Sequence, residues 1–127
     1  MSEKQKHFGF LSGRLNRAKF TAYFFLSFFV YAALFFAAYQ FPSDSALRVV
    51  LGILATALYL LVLVPIVVKR AHDLNWSGTW FWLIIIPLAF LVFLVLIMVK
   101  DGTAGSNKYG EDPLGRKADQ DESGKQY

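Results

Sequence analysis

The residues best suited to chemistry lie in one short stretch, "KRAHDLNWSGTW", at positions 69–80. His72 and Asp73 are adjacent there, and Ser77 supplies a nearby hydroxyl. A hydrolase would need the histidine to activate that hydroxyl while the aspartate orients the histidine. Adjacent His and Asp side chains point in different directions, so this arrangement is not expected. The sequence predicts no catalytic residue and a protein that is not an enzyme.

The sequence contains few residues that could form a metal or cofactor site. A metal site needs three or four convergent ligands, whereas the only two histidines are His7 and His72, without the spacing of a ligand pair. The chain has no cysteine, which excludes thiolate ligands and disulfides. The Gly-rich segment 101–110 lacks the Lys-Ser/Thr ending of a phosphate-binding loop. We therefore expect no metal and no cofactor.

The same polar residues are better explained as an interfacial cluster of charges. Asp73 lies three residues after Arg70 and four after Lys69, so it pairs with one of them if the preceding helix continues that far. Arg14 and Arg17 share a helix face, and one carboxylate cannot neutralise three guanidinium groups. At least one arginine would then face an external anion, for which lipid phosphate is available. The alternative is that the arginines only mark the membrane interface. The predicted cluster comprises Arg14, Arg17, Arg70, His72 and Asp73.

Three long apolar blocks must position this cluster. They cover residues 20–41, 49–68 and 80–99, and none contains a charged residue. A bilayer core of about 30 Å needs roughly 20 helical residues, and a backbone in lipid must satisfy its own hydrogen bonds. The sequence therefore predicts an all-α integral membrane protein with three transmembrane helices. The first block is too long for the apolar region of a cleaved signal peptide, so it is expected to be retained.

The segments outside these blocks are short and polar. Residues 1–19 form a basic lead that is expected at the membrane interface. Residues 20–115 form the predicted three-helix transmembrane domain, which ends in a polar surface motif. Residues 116–127 are poor in apolar side chains, so they are predicted to be a disordered tail.

The basic residues predict the topology. Five Lys or Arg residues lie in the lead and only Arg48 lies in the first loop, so the positive-inside rule puts the N-terminus in the cytoplasm. Three crossings then put the tail outside, with seven cations inside and five outside. A hairpin bent at Pro87 would instead put eleven inside and one outside. Two limbs of about ten residues cannot each cross the bilayer, so the single crossing is the prediction and the hairpin the alternative.

Three motifs occur in order along residues 8–115. They are Gly13-Arg14-x-x-Arg17, Arg70-x-His72-Asp73 followed by Ser77-Gly78, and Asn107-x-Tyr109-Gly110-x-Asp112-Pro113. In order and spacing they resemble the bacterial inner-membrane family known as domain of unknown function 805. That family usually has tryptophan directly after Ser-Gly, whereas Thr79 precedes Trp80 here. The resemblance implies an inner-membrane location and supplies no activity. The third motif is interpreted as a polar turn on the membrane surface.

These observations predict a small multi-pass protein of the bacterial inner membrane. Its expected role is that of a non-enzymatic module that contacts membrane lipids, including anionic headgroups, a membrane-protein partner or a second copy of itself. The net charge of +4 is assigned to anionic lipid and topology, and no nucleic acid is expected. One alternative is an oligomeric transport or channel subunit, although the blocks lack the ionisable groups that pumps use. The other is an interfacial enzyme on lipid-linked substrates.

Overall fold

The computed structural model describes residues 10–117. The first nine residues of the basic lead and residues 118–127 of the predicted disordered tail lie outside this range. Within the range the chain is helical, with three α-helices, one 3-10 helix and no β-strand. The all-helical part of the fold prediction is confirmed for these residues.

The first two apolar blocks form a long antiparallel helix pair. Helix α1 spans Arg17–Tyr39 and helix α2 spans Ala46–Asp73. Asn16 caps α1 by accepting a hydrogen bond from Lys19 N at 2.8 Å, and Ser45 caps α2 in a similar way. Both helices are long and apolar enough to cross a membrane.

Helix α2 continues beyond its predicted end at position 68. The prediction ended the helix where charged residues begin, because charges usually mark the edge of a membrane segment. In the structure Arg70, His72 and Asp73 are buried, and the helix continues through them. This continuation places Arg70 and Asp73 on one helix face, which the polar site requires.

The third apolar block is split in two. A 3-10 helix spans Gly78–Ile85 and helix α3 spans Pro87–Val99, with Ile86 extended between them at φ −110° and ψ 94°. Proline disfavours a helical conformation in the residue before it and is well accepted as the first residue of a helix. Pro87 therefore separates the two segments. This corrects the prediction of a single helix over residues 80–99.

We call residues 78–99 the 78–99 hairpin. Its first and last residues lie at the same end of the molecule. At its start, Gly78 is so close to α2 that an added Cβ would lie 2.9 Å from Val68 Cγ1. At its end, Val99 O accepts a hydrogen bond from Arg17 Nη1 at 3.0 Å. The limbs, of 8 and 13 residues, are about 16 Å and 20 Å long. A third crossing is therefore not confirmed, and two helices have the dimensions of membrane spans.

The buried core lies at this same end. Phe20, Val67 and Ile97 are fully buried where α1, α2 and α3 meet. Elsewhere α1 and α2 expose large apolar side chains, among them Phe36, which is 68% exposed, and Leu61, which is 60% exposed. Large apolar surfaces of this kind are unfavourable in water and favourable against lipid. The distribution fits helices that face lipid, with a packed core next to the polar residues.

Candidate functional site

Asp73, in the last turn of α2, is the centre of the polar site. Its carboxylate accepts hydrogen bonds from Arg14 Nε at 3.0 Å and from Arg70 Nη1 at 2.5 Å. The side chains of Arg14, Arg70 and Asp73 are only 1%, 0% and 2% exposed. The pairing of Arg70 with Asp73 at i,i+3 is confirmed. Charges buried this deeply are stable only while each keeps its partner.

Two arginines cap the end of α3. Arg70 Nε donates to Ile97 O at 2.6 Å, and its Nη2 donates to Lys100 O. Arg17 Nη1 donates to Val99 O. The last carbonyls of a helix have no partner within the helix and interact favourably with cations. Side chains of α1 and α2 therefore fix the returning limb of the 78–99 hairpin.

Arg14 joins the N-terminal segment to the tail. Its Nη1 donates to Gly105 O at 2.6 Å and its Nη2 donates to Thr103 O. These partners are 91 and 89 positions away in the chain. Thr103 N in turn donates to Asp73 O at 2.8 Å. The tail therefore folds back onto the end of α2.

His72 is held between the N-terminal segment and the tail. Its Nδ1 donates to Gly13 O at 3.1 Å, because a carbonyl can only accept. The ring of Tyr109 stacks on the imidazole, with centroids 3.8 Å apart and planes 4° apart. Asn107 Nδ2 donates to His72 O at 2.9 Å, and Asn107 pairs with Gly110 across a tight turn. The motif interpreted from the sequence as a surface turn thus packs directly on His72.

Asp112 supplies a second buried carboxylate. It accepts hydrogen bonds from Gly105 N at 3.1 Å, Leu114 N at 2.9 Å and Arg116 Nε at 2.8 Å. It also lies 3.9 Å from Arg14 Nη2. Burial opposes its ionisation, but the hydrogen bonds from Arg116, Leu114 and Gly105 outweigh burial and hold the pKa of Asp112 below its ordinary value of 3.8. Asp112 is therefore negatively charged at neutral pH.

The buried charges balance. We call Arg14, Arg70, Asp73 and Asp112 the buried ion cluster. Its two guanidinium groups lie beside two carboxylates, and Arg116 also pairs with Asp112 at 2.8 Å. Arg17, the third arginine of the sequence argument, is exposed and forms no salt bridge within residues 10–117, so an arginine that faces an external anion stays a prediction. Sequence analysis placed Asp112 in the third motif, which separates it from the exposed acids Asp101 and Glu111, but missed its role as a buried counter-charge.

Four of the five residues predicted to cluster meet in the structure, and one does not. Arg14 and Arg70 bind Asp73 directly, and His72 is tied to the same place through Gly13 O, next to Arg14, and through Tyr109 and Asn107 of the tail. Arg17 is exposed on α1 and contacts the end of α3 instead. The backbone carbonyls that complete the site were also missed, because a carbonyl has no signature in a sequence.

Every buried polar side chain in the described part of the chain is satisfied. No buried side-chain nitrogen or oxygen in residues 10–117 lacks a hydrogen-bond partner, and no group of three metal-ligating side chains occurs there. The Ser77 hydroxyl accepts hydrogen bonds from Thr79 N at 3.3 Å and Thr79 Oγ1 at 3.0 Å, and so begins the 3-10 helix. The arrangement acts as a link between the N-terminal segment, α2, α3 and the tail.

Comparison with known proteins gives a family and partial relatives. The family model described as "Protein of unknown function (DUF805)" matches residues 8–111. Inner membrane protein YhaI of Escherichia coli (strain K12) is 40% identical over 63 residues, which cover 50% of this chain and 51% of YhaI. Inner membrane protein YhaH of the same strain is 34% identical over 65 residues, covering 49% of this chain and 54% of YhaH. The chain thus matches about half the length of these curated relatives. No solved structure matches it significantly.

Proposed function

As the chain belongs to the DUF805 family of proteins of unknown function, we propose that it is a non-enzymatic, multi-pass module of the bacterial inner membrane that contacts lipids or a partner. YhaI and YhaH are named inner membrane proteins, which supports the location.

The functional part of the proposal rests on the buried ion cluster. Its charges balance, and its polar groups are used within residues 10–117. A site that acts on a substrate needs a reacting group that the substrate can contact. The closed cluster instead supports a structural role, with contacts to other molecules made by the outer surface.

The proposed topology has two crossing helices and one re-entrant hairpin. Helices α1 and α2 cross, and the 78–99 hairpin enters from the end that holds the buried ion cluster and returns to it. Limbs of about 16 Å and 20 Å reach the middle of a core of about 30 Å. The sequence argument against a hairpin required each limb to cross the whole bilayer, and re-entry removes that requirement.

The distribution of cations supports the same topology. Among residues 10–117, nine of the ten Lys and Arg residues belong to segments at the cluster end, and Arg48 alone lies near the 42–45 turn. The positive-inside rule then assigns the cluster end to the cytoplasm. The N-terminal segment and residues 101–117 are both cytoplasmic in this proposal, whereas three crossings would put the tail outside.

Cysteine labelling tests the topology, because the native chain has no cysteine. Ser43→Cys and Ser106→Cys each place one thiol at an exposed position, the first near the 42–45 turn and the second in the tail. We expect a membrane-impermeant thiol reagent added to spheroplasts to label Ser43→Cys and to label Ser106→Cys only after lysis. Labelling of Ser106→Cys from outside would contradict the re-entrant topology and restore the three-crossing one.

The non-enzymatic role is tested with His72→Phe, which keeps a ring against Tyr109 and removes the imidazole. We expect the purified protein to leave the composition of a lipid extract from its native membrane unchanged. Lipid turnover by the wild type that is lost in His72→Phe at an equal melting temperature would favour the interfacial enzyme. Solute flux into proteoliposomes that depends on the protein would favour the transport subunit. Either result would refute the proposal.

A further inference from the structure

A groove of about 650 Å³ lies along the α1–α2 pair, and Phe10 and Leu15 of the N-terminal segment also line it. Its walls are mainly apolar or aromatic side chains: Tyr23, Val30, Leu34, Leu58, Tyr59 and Val62. Its concavity arises because Ser27, Ala55 and Pro65 are shorter than the side chains that flank them. Its volume is in the range of ordinary small-molecule sites.

Cations lie at one end of this groove. Lys69 lines it where α2 approaches the buried ion cluster. Lys19 is exposed and lies four residues before Tyr23, so it shares the groove face of α1 one turn nearer the same end. Within residues 10–117 neither ammonium group forms a salt bridge. An apolar groove that ends at two cations is complementary to an amphiphile with an anionic head.

The length of the groove fits one leaflet of a bilayer. From Ala55 to Lys69, α2 rises about 21 Å, which is more than half of a core of about 30 Å. An acyl chain that starts at the level of Lys69 would therefore reach past the bilayer middle. Tyr31 and Tyr59 stack across the two helices with centroids 4.7 Å apart and form a fixed part of the lining.

From this charge complementarity and length, we propose that the groove binds one acyl chain of an anionic phospholipid from the leaflet at the cluster end. The phosphate-bearing headgroup lies at Lys19 and Lys69. This deepens the lipid-contacting role proposed above by naming the lipid class and the site. The assignment to the cytoplasmic leaflet rests on the proposed topology, whereas binding itself does not.

The test compares phosphatidylglycerol with phosphatidylcholine of the same acyl chains, added to the full chain in detergent. Retained lipid is counted by native mass spectrometry, and affinity is measured from the shift in melting temperature. We expect the wild type to retain one phosphatidylglycerol in preference to phosphatidylcholine. Lys19→Gln/Lys69→Gln should weaken phosphatidylglycerol binding about 25-fold, a factor of about five for each ammonium removed. Ala55→Phe fills the groove and should abolish retention. Lys117→Gln, which removes an exposed cation elsewhere at the same end, should bind like the wild type.

Several outcomes would overturn the proposal. Equal phosphatidylglycerol binding by the wild type and the double lysine variant would refute the headgroup site. Unchanged binding in Ala55→Phe would show that surface charge alone attracts the lipid. A wild-type dimer that Ala55→Phe converts to a monomer would show that a second copy occupies the groove. If Ala55→Phe does not fold, Ser27→Leu narrows the groove from α1 instead.

The two proposals fail in different experiments. Labelling of Ser106→Cys from outside refutes the topology, and lipid turnover or solute flux refutes the non-enzymatic role. Neither result changes the lipid binding measured in detergent.

Discussion

Replacing Asp73 with asparagine is expected to lower the free energy of unfolding by about 3–5 kcal/mol. The substitution keeps the volume of the side chain and removes the charge that holds Arg14 and Arg70, which are 1% and 0% exposed. Asp112 would be the remaining carboxylate of the buried ion cluster, 3.9 Å from Arg14. The loss is large because a buried charge whose partner is removed stays buried without compensation.

Asp101→Asn is the matched control for this substitution. Asp101 pairs with Arg116 at 2.9 Å but is 61% exposed, so the same chemical change should cost only about 0–1 kcal/mol. Unfolding in detergent measures both variants. A loss of stability for Asp73→Asn no greater than that for Asp101→Asn would contradict the buried ion cluster.

Adding Arg70→Met to Asp73→Asn should recover part of the lost stability by removing an uncompensated charge. The recovery should be incomplete, because two carbonyls at the end of α3 lose their donor.

The second large effect is expected from Gly102→Ala. A Cβ at Gly102 would overlap Asp73 Oδ2 and lie 2.5 Å from its Cγ, so the chain must move. The carboxylate cannot turn away without losing Arg14 and Arg70, which hold its two oxygens. The tail backbone must shift instead, which disrupts the hydrogen bond from Thr103 N to Asp73 O. We expect a loss of about 1–3 kcal/mol, as for other overpacked sites, and faster amide exchange at Thr103.

Gly52→Ala is the matched control and should act in the opposite direction. A Cβ there would meet Phe35 Cε2 at 3.8 Å, which is an ordinary van der Waals contact. Alanine is more favourable than glycine inside a helix by about 0.5–1 kcal/mol. Gly52→Ala should therefore be as stable as the wild type or more so when unfolded in detergent. Wild-type stability of Gly102→Ala, with amide exchange at Thr103 already fast in the wild type, would show that the tail does not pack on Asp73.

Local signals in the sequence were enough to predict α1 and α2 and were not enough for the third apolar block. The first two blocks are uncharged runs of about 20 residues that each form one helix. The third has the same composition, and Pro87 is compatible with either a kink or a break. The break is accompanied by contacts between distant residues. Arg70 reaches Ile97 O across 27 positions, and Arg17 reaches Val99 O across 82 positions.

The residues of the candidate site were easier to predict than their arrangement. Arg14, Arg70, His72 and Asp73 stood out because they are ionisable residues beside apolar blocks. Their backbone partners did not, and Asp112 stood out only as part of a surface motif, without a sign that it would be buried beside Arg14. Counting charges along the chain found one carboxylate near the arginines, whereas the folded chain brings a second carboxylate to Arg14. The prediction that one arginine faces an external anion still applies to Arg17, which forms no salt bridge within residues 10–117.

The contacts of Arg14 with the tail also determine when the native contacts can form during synthesis and membrane insertion. Translation and insertion deliver α1 and α2 before the carbonyls of Thr103 and Gly105 exist, since these lie 89 and 91 positions after Arg14. Until then Asp73 can bind Arg14 Nε, but the two Nη groups of Arg14 must remain hydrated, because burying them without partners is costly. Contacts between residues so distant in the chain also form slowly. The buried ion cluster therefore gains its full set of hydrogen bonds only after residue 112 has been synthesised.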